Sequence, residues 1–306
     1  MSDRITLCIP FYRGPAYLEQ AIQSVLAQDD DGWQMAIRDD GDRDEAAAVV
    51  ARLGLESDPR VRCDRNERNL GMVANWNACL DAVATPLASL LHADDLLLPG
   101  YVRCMRGLAA ANAGAAAFFC EARIIDRNGA ERFSLADRIK PWYLPRVARH
   151  SPAFALVGED SLRAVMAGNF IMCPTLCFRL ATLDGRRFDE RHRQVQDLEF
   201  TSRLLMDGDS LIGTREVAYA YRRHSEGATA IQSESLLRFE EELALFDLVA
   251  DRADTMGWSE AAQVARHKTI VRLHLLYRAL GDLFRGQPAR ARRELAMAAR
   301  RSRIGA

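Results

Sequence analysis

With 306 residues, 49% of them hydrophobic, the chain has material for one large α/β domain with an appendage and an ample core. A formal net charge of −1 supplies no global positive field, which argues against nucleic acid as a partner. The seven cysteines are odd in number and lack a C-x-x-C pair; they fit reduced packing residues rather than a disulfide framework.

Ile5–Ile9 is a short apolar run stopped by Pro10 and predicts a buried first strand. The turn Phe11-Tyr12-Arg13-Gly14-Pro15 leads into a helix with Leu18, Ala21, Ile22 and Val25 on one face. Trp33–Ile37 predicts a second strand, ending in the acid cluster Arg38-Asp39-Asp40-Gly41-Asp42. A helix near Arg43–Leu53, with Asp42 as its N-cap, a strand at Val61–Cys63 and a polar loop through Asn69 and Gly71 follow. Val73, Trp76, Leu80 and Val83 recur at helical spacing before the apolar run Leu87–Leu91. That run ends in His92-Ala93-Asp94-Asp95, a second acid cluster at a strand's carboxyl end, where ligands of open α/β sheets bind. Two adjacent carboxylates repel each other unless a cation joins them, and Mg²⁺ or Mn²⁺ takes such acids together with substrate phosphate oxygens. An ordinary surface turn is the bland alternative.

Beyond Pro99 a helix is expected to Ala111, then two strands, Ala115–Cys120 and Arg123–Asp126, the second opening a hairpin at Asn128-Gly129. Periodicity fades over 130–158, around Lys140-Pro141-Trp142-Tyr143, as in a substrate-specific loop. Leu162–Ala167 reads as a helix and Thr175–Phe178 as a strand. A helix opens at Gln194 and ends near Gly208, and the strand Val217–Tyr221 runs into Arg222-Arg223-His224. After residue 230 long helices take over: Phe239, Leu243, Phe246 and Ala250 form one stripe, and Ile270, Leu273, Tyr277, Leu280 and Phe284 a heptad-like second one, both read as packing faces. Gly286-Gln287-Pro288 starts a final basic helix. The alternation of strand and helix predicts a parallel sheet covered on both faces over residues 1–230, with a helical region over 231–306. No window approaches the ~18 apolar residues of a membrane span. A basic N-terminal segment followed by an apolar stretch is also missing, so a cytoplasmic or peripheral protein is expected.

Several blocks in fixed order resemble glycosyltransferase family 2 with the GT-A fold, over residues 5–230. Ile9-Pro10-Phe11-Tyr12 and Tyr17–Gln28 are similar to the family's opening strand and helix, with Arg13 where Asn is usual. Asp39-Asp40-Gly41-Asp42-Arg43-Asp44 resembles its D-D-G-S-T-D turn. Asn69-Leu70-Gly71-Met72-Val73-Ala74-Asn75-Trp76-Asn77 before His92-Ala93-Asp94-Asp95 resembles the branch carrying N-x-G-x-x-x-N-W-N and L-H-x-D-D.

The resemblance implies an inverting transferase that moves a sugar from a nucleotide-diphosphate donor, a UDP-sugar most often, to a hydroxyl of a glycan or lipid-linked acceptor. Asp94 and Asp95 would stand for the D-x-D motif that holds Mn²⁺ or Mg²⁺, and His224 would lie near the diphosphate. His92 occupies the usual first acid's place, as a ligand or as packing. Asp39 and Asp40 would accept from the base and ribose, Pro10 and Tyr12 would wall the ring, and Asn69 and Asn77 would complete the nucleotide site. Asp197 would be the general base, with Gln196 where relatives carry Glu; the loss of that neighbour removes a charge that raises a carboxyl pKa. The first strand is followed by Pro10-Phe11-Tyr12, where a nucleotidylyltransferase or nicotinamide-dependent oxidoreductase needs a Gly-rich loop. The remaining alternative is a catalytically inactive sugar-nucleotide-binding or scaffolding relative, favoured by His92 and Gln196. For the basic last helix, docking at the inner face of a membrane stands beside a solvated surface.

Overall fold

The computed structural model describes residues 4–132, 151–224 and 236–300. The loop around Trp142 and residues 225–235 lie outside the described residues. The amino-terminal half forms β1 (Ile5–Phe11), α1 (Pro15–Leu26), β2 (Trp33–Asp39), α2 (Glu45–Arg52), β3 (Val61–Arg65), α3 (Met72–Asp81) and β4 (Leu87–Leu90). β1 and β4 are central strands because apolar side chains fill both of their faces, and β2 alternates buried and half-buried positions. Gly14, at φ +92°, turns the chain so that Pro15 can open α1.

The chain continues through β5 (Leu96–Leu97), α4 (Tyr101–Ala111), β6 (Ala117–Ile125), β7 (Ala153–Leu156), α5 (Gly158–Ala167), β8 (Cys177–Arg179), α6 (Leu180–Leu183), α7 (Gln196–Met206) and β9 (Leu211–Arg222). The nine strands form one sheet in the order β3-β2-β1-β4-β8-β6-β9-β5, with β7 also on β9. The long ladders β1–β2, β2–β3, β1–β4 and β6–β9 are parallel, while β8, β5 and β7 pair antiparallel. The α/β class expected from the sequence is therefore observed, with antiparallel pairs in the second half.

The two strands expected over 115–126 are one, β6. Register shifts around Glu121 absorb the irregularity in the pattern without the chain leaving the sheet. The hairpin at Asn128-Gly129 is present, closed by Asp126 N to Ala130 O at 2.8 Å. The strand expected at 217–221 is the end of the longer β9. Asp42 does not cap α2: Asp44 holds the N-cap position.

The carboxy-terminal helices are α8 (Leu237–Thr255), α9 (Ser259–His267), α10 (Thr269–Phe284) and α11 (Pro288–Ala298). Phe239, Leu243, Phe246 and Ala250 of α8 are buried in the cluster that also holds Trp76 of α3 and Leu198, Phe200 and Leu204 of α7. The stripe on α10 behaves differently. Val271, Leu275 and Ala279 face the core, whereas Leu273, Tyr277, Leu280 and Phe284 are exposed. Of the expected stripe, Ile270 packs against the core; the other four members do not, because the face that packs lies on the other side of the helix.

Candidate active site

Three strand ends supply the polar groups. At the end of β2 both acids are buried, at 2% exposure for Asp39 and 3% for Asp40. Asp39 accepts from the N–H groups of Gly41 (2.8 Å) and Ala46 (3.4 Å), so it reaches the amino end of α2. Burial raises its pKa, against those two bonds, which lower it. Asp40 accepts at Oδ1 from Leu70 N (2.7 Å) and Asn66 Nδ2 (2.9 Å), and at Oδ2 from Gly71 N (2.9 Å). Asn69 donates through Nδ2 to the Asp40 carbonyl at 2.8 Å. Asp40 thus tethers the loop between β3 and α3 and is not the free acceptor the sequence suggested.

The Asn-rich block has a structural explanation of the same kind. Asn75 links Asn66 to the Arg38 carbonyl. Trp76 stacks on His92, with ring centroids 5.2 Å apart. Asn77 donates to Phe188 O and accepts from Phe188 N, both at 3.0 Å, and reaches Glu190 at 3.3 Å. Its amide therefore fastens the segment leading to α7, and the nucleotide role expected for it has no free polar atom behind it.

At the end of β4 the two acids differ. Asp95 is fully buried, accepts from Arg222 N at 2.7 Å and Tyr219 Oη at 3.0 Å, and has its pKa raised well above the usual carboxylate range, first by burial and then by Asp94. Asp94 turns outward, and its Oδ2 lies 3.0 Å from His224 Nε2. His92, Asp94 and Asp95 bring donor atoms within 4.8 Å of one another. His92 Nε2 is buried without a hydrogen-bond partner among the described residues, and burial lowers the pKa of this imidazole, which favours the neutral, ligating form. An orphaned nitrogen beside a half-exposed carboxylate fits a divalent ion with mixed nitrogen and oxygen ligands. Asp95, with both oxygens engaged by β9, is the least available of the three.

Arg222 escaped the sequence reading. It is 2% exposed, and its guanidinium donates to the carbonyls of Asp94 (2.6 Å) and Arg127 (3.0 Å) and to Gln20 Oε1 (2.8 Å) while lying over the Tyr17 ring. It fixes the Asp94 turn to β9. A buried Arg at the end of a strand was the available signal, hidden in a basic run that resembled surface charge.

Asp197 stands in the first turn of α7, on the face that meets α8. Burial raises its pKa, two backbone N–H groups at the helix start lower it, and the charges of Arg238 and Glu242 bear on it with opposite sign. The acidity expected from Gln196 in place of Glu is thus outweighed by desolvation. Gln196 Oε1 itself is buried without a partner among the described residues. Burial raises the thiol pKa of Cys173, and the negative charges of Asp197 and Asp95 raise it further. The start of α7 is also held from outside, since Glu241 of α8 accepts from Arg193 N (3.0 Å) and Gln194 N (2.8 Å). Tyr12, 58% exposed beside the half-buried Pro10, lines a cleft of about 160 Å³ with Arg13, Asp42, Arg43 and Glu45.

A parallel half-sheet with acids at the ends of β2 and β4 is the arrangement of the GT-A fold. The family model described as glycosyl transferase family 2 matches residues 6–161, and the chain belongs to this family. It is 35% identical over 101 residues to an uncharacterized protein of Mycobacterium tuberculosis, covering 33% of this chain and 31% of that protein. It is 28% identical over 219 residues to the succinoglycan biosynthesis protein ExoO of Rhizobium meliloti, covering 71% of this chain and 60% of ExoO. The chain thus spans less than two thirds of the length of these relatives. Among solved structures, residues 1–349 of S. aureus TarS in complex with UDP-GlcNAc superpose with a TM-score of 0.67 at 14% identity, over 97% of this chain and 82% of that one. A mannosyltransferase of Pyrobaculum calidifontis in complex with GDP-Man and Mn²⁺ gives 0.61 at 15% identity, over 98% and 86%. Both show that the fold is shared.

Proposed function

We propose that the chain is a metal-dependent inverting glycosyltransferase, of the branch with N-x-G-x-x-x-N-W-N and L-H-x-D-D motifs. It would transfer a sugar from a nucleotide-diphosphate donor, a UDP-sugar first among them, to a hydroxyl of a glycan or lipid-linked acceptor. The observation that carries the reading is the gathering of His92, Asp94 and Asp95, whose donor atoms lie within 4.8 Å of one another, with His224 Nε2 3.0 Å from the outward Asp94.

In this reading Asp94, His224 and His92 hold Mn²⁺ or Mg²⁺, with Asp95 as the acid that fixes the turn. The bound ion would neutralise the charge that grows on the departing diphosphate. Asp39, Pro10 and Tyr12 take the nucleoside, and Asn69 and Asp40 keep the neighbouring loop in place. The acceptor hydroxyl attacks the anomeric carbon as the C–O bond to the diphosphate breaks, the bonding pair leaves with the nucleoside diphosphate, and Asp197 takes the hydroxyl proton. Desolvation, which raises the Asp197 pKa, makes it a better proton acceptor than a solvated carboxylate. A lipid-linked acceptor would place the chain at the cytoplasmic face of a membrane, with the basic last helix toward it.

A panel of UDP- and GDP-sugars incubated with full-length protein and Mn²⁺, scored by release of nucleoside diphosphate, tests the reading. Mn²⁺-dependent release that Asp197→Asn abolishes supports it. Nucleotide binding without release from any donor would favour the inactive, scaffolding alternative, to which the substitution of Gln196 for an acid also points.

A further inference from the structure

Among the described residues, nothing packs on the outer face of α10. Leu273, Leu276, Tyr277, Leu280, Leu283 and Phe284 are all exposed, Tyr277 to 76% and Phe284 to 90%. They repeat with a period of seven, Leu273 with Leu280, Leu276 with Leu283 and Tyr277 with Phe284. At about 100° per residue they cover roughly a third of the helix circumference, and no charged residue interrupts them. A continuous exposed apolar strip of this kind marks a contact surface. Other strongly exposed apolar side chains among the described residues, such as Tyr12, Val157, Val217 and Leu248, sit on separate elements and build no matching face.

Charge decides what covers the strip. Residues 268–306 contain ten Lys and Arg and two acids, a net charge of +8, while residues 1–267 contain 31 Lys and Arg and 40 acids, a net charge of −9. Both acids of the basic segment are buried and bonded within it: Glu294 accepts from Arg278 Nε at 3.0 Å, and Asp282 pairs with Arg285 and Arg290 at 3.1 Å each. Arg292 and Arg293 of α11 point to solvent. A second copy docked strip to strip would bring two such cationic segments together, and that repulsion works against it. An anionic bilayer supplies both an apolar layer for the leucines and aromatics and phosphates for the arginines.

We propose that α10 lies in the interface of an anionic phospholipid membrane, with its Leu, Tyr and Phe strip inserted below the headgroups and the arginines of α11 on the lipid phosphates. This deepens the lipid-linked acceptor reading and rests on it for its purpose: the inserted helix, rather than the basic last helix alone, becomes the anchor. On its inner side, His274 and Arg278 contact Phe239 of α8, with ring or guanidinium centres 5.0 and 5.4 Å away. The adjacent Arg238, with Glu242, bears on Asp197. Adjacent residues of α8 thus contact α10 and act on the acid proposed as base.

Flotation of the full chain with phosphatidylcholine vesicles, with and without a quarter phosphatidylglycerol, tests the proposal. The protein should float with the anionic vesicles only. Leu280→Glu with Phe284→Glu should reduce partitioning at least about tenfold, with melting temperature and nucleotide binding unchanged. Arg292→Glu with Arg293→Glu should weaken it several-fold and flatten its salt dependence. Protein that stays with the soluble fraction in both vesicle types, or a Leu280→Glu/Phe284→Glu variant that floats like wild type, overturns it. So does a wild-type dimer that this variant makes monomeric, which would assign the strip to a second copy. Flotation involves no sugar transfer, so a failure here leaves the transferase reading standing, and the reverse also holds.

Discussion

His224 Nε2 lies 3.0 Å from Asp94 Oδ2, a contact across 130 residues that closes the end of β9 over the end of β4. If this pair and His92 hold the cation, Asp94→Asn should lower kcat by about 10³-fold and His224→Ala by about 10- to 100-fold. EDTA should silence the wild type, and added Mn²⁺ should restore it. Titration of Mn²⁺ with the nucleotide present, followed by calorimetry, checks the ligand set apart from turnover.

Asp197 makes the opposite kind of prediction, because the same burial that suits a base also opposes its charge. Its folded-state pKa is raised, so folding favours the protonated acid, and stability from this group is lost as pH rises through the folded value. Asp197→Asn should therefore leave the melting temperature at pH 7 equal or higher while transfer falls by about 10³-fold. Wild-type activity should decline as pH falls through the raised pKa, since only the carboxylate accepts a proton. A variant that loses activity by unfolding would instead melt lower, and differential scanning fluorimetry separates the two.

Asp40 and Asn77 are expected to act through stability. Asp40→Ala leaves the part-buried N–H groups of Leu70 and Gly71 without their carboxylate acceptor and removes one of the two acceptors of the Asn66 amide, a loss of about 2 kcal/mol. Asn77→Ala frees both backbone groups of Phe188 and should cost about 2 kcal/mol. Urea unfolding measures both. Donor KM in the surviving folded fraction should change less than the midpoint does.

His274 should register in acid. Burial, and then the nearby positive charges of Arg238 and Arg278, lower its pKa to about 4 from the ordinary 6.5. Between these values the unfolded chain binds a proton that the folded chain refuses, so the stability present above pH 6.5 is lost as pH falls toward 4. The melting temperature of the wild type should drop more between pH 7 and pH 5 than that of His274→Gln, as thermal melts in matched buffers will read.

β1, β2 and β4 and the order of acids along them were legible because each of these apolar runs lies inside the sheet and each acid cluster ends one. What the sequence left open was the division of labour inside each pair. Asp39 and Asp40 have the same side chain and adjacent numbers, yet one faces the start of α2 and the other holds a loop thirty residues on. Asp94 and Asp95 divide in the same way, because β9 pairs with one and leaves the other exposed, and no local pattern announces the partner strand. The α10 strip was misjudged because periodicity tells which residues share a face but not whether the rest of the chain arrives to cover it.

Glu241 caps the segment in front of α7 although it is made more than forty residues after it. On the ribosome, then, the sheet and its acids can assemble while the turn that carries Asp197 still lacks its anchor. If Asp197 is the base, as proposed, emergence of α8 would fix it last, and a nascent chain would gain its grip on a donor before it gains the means to consume one.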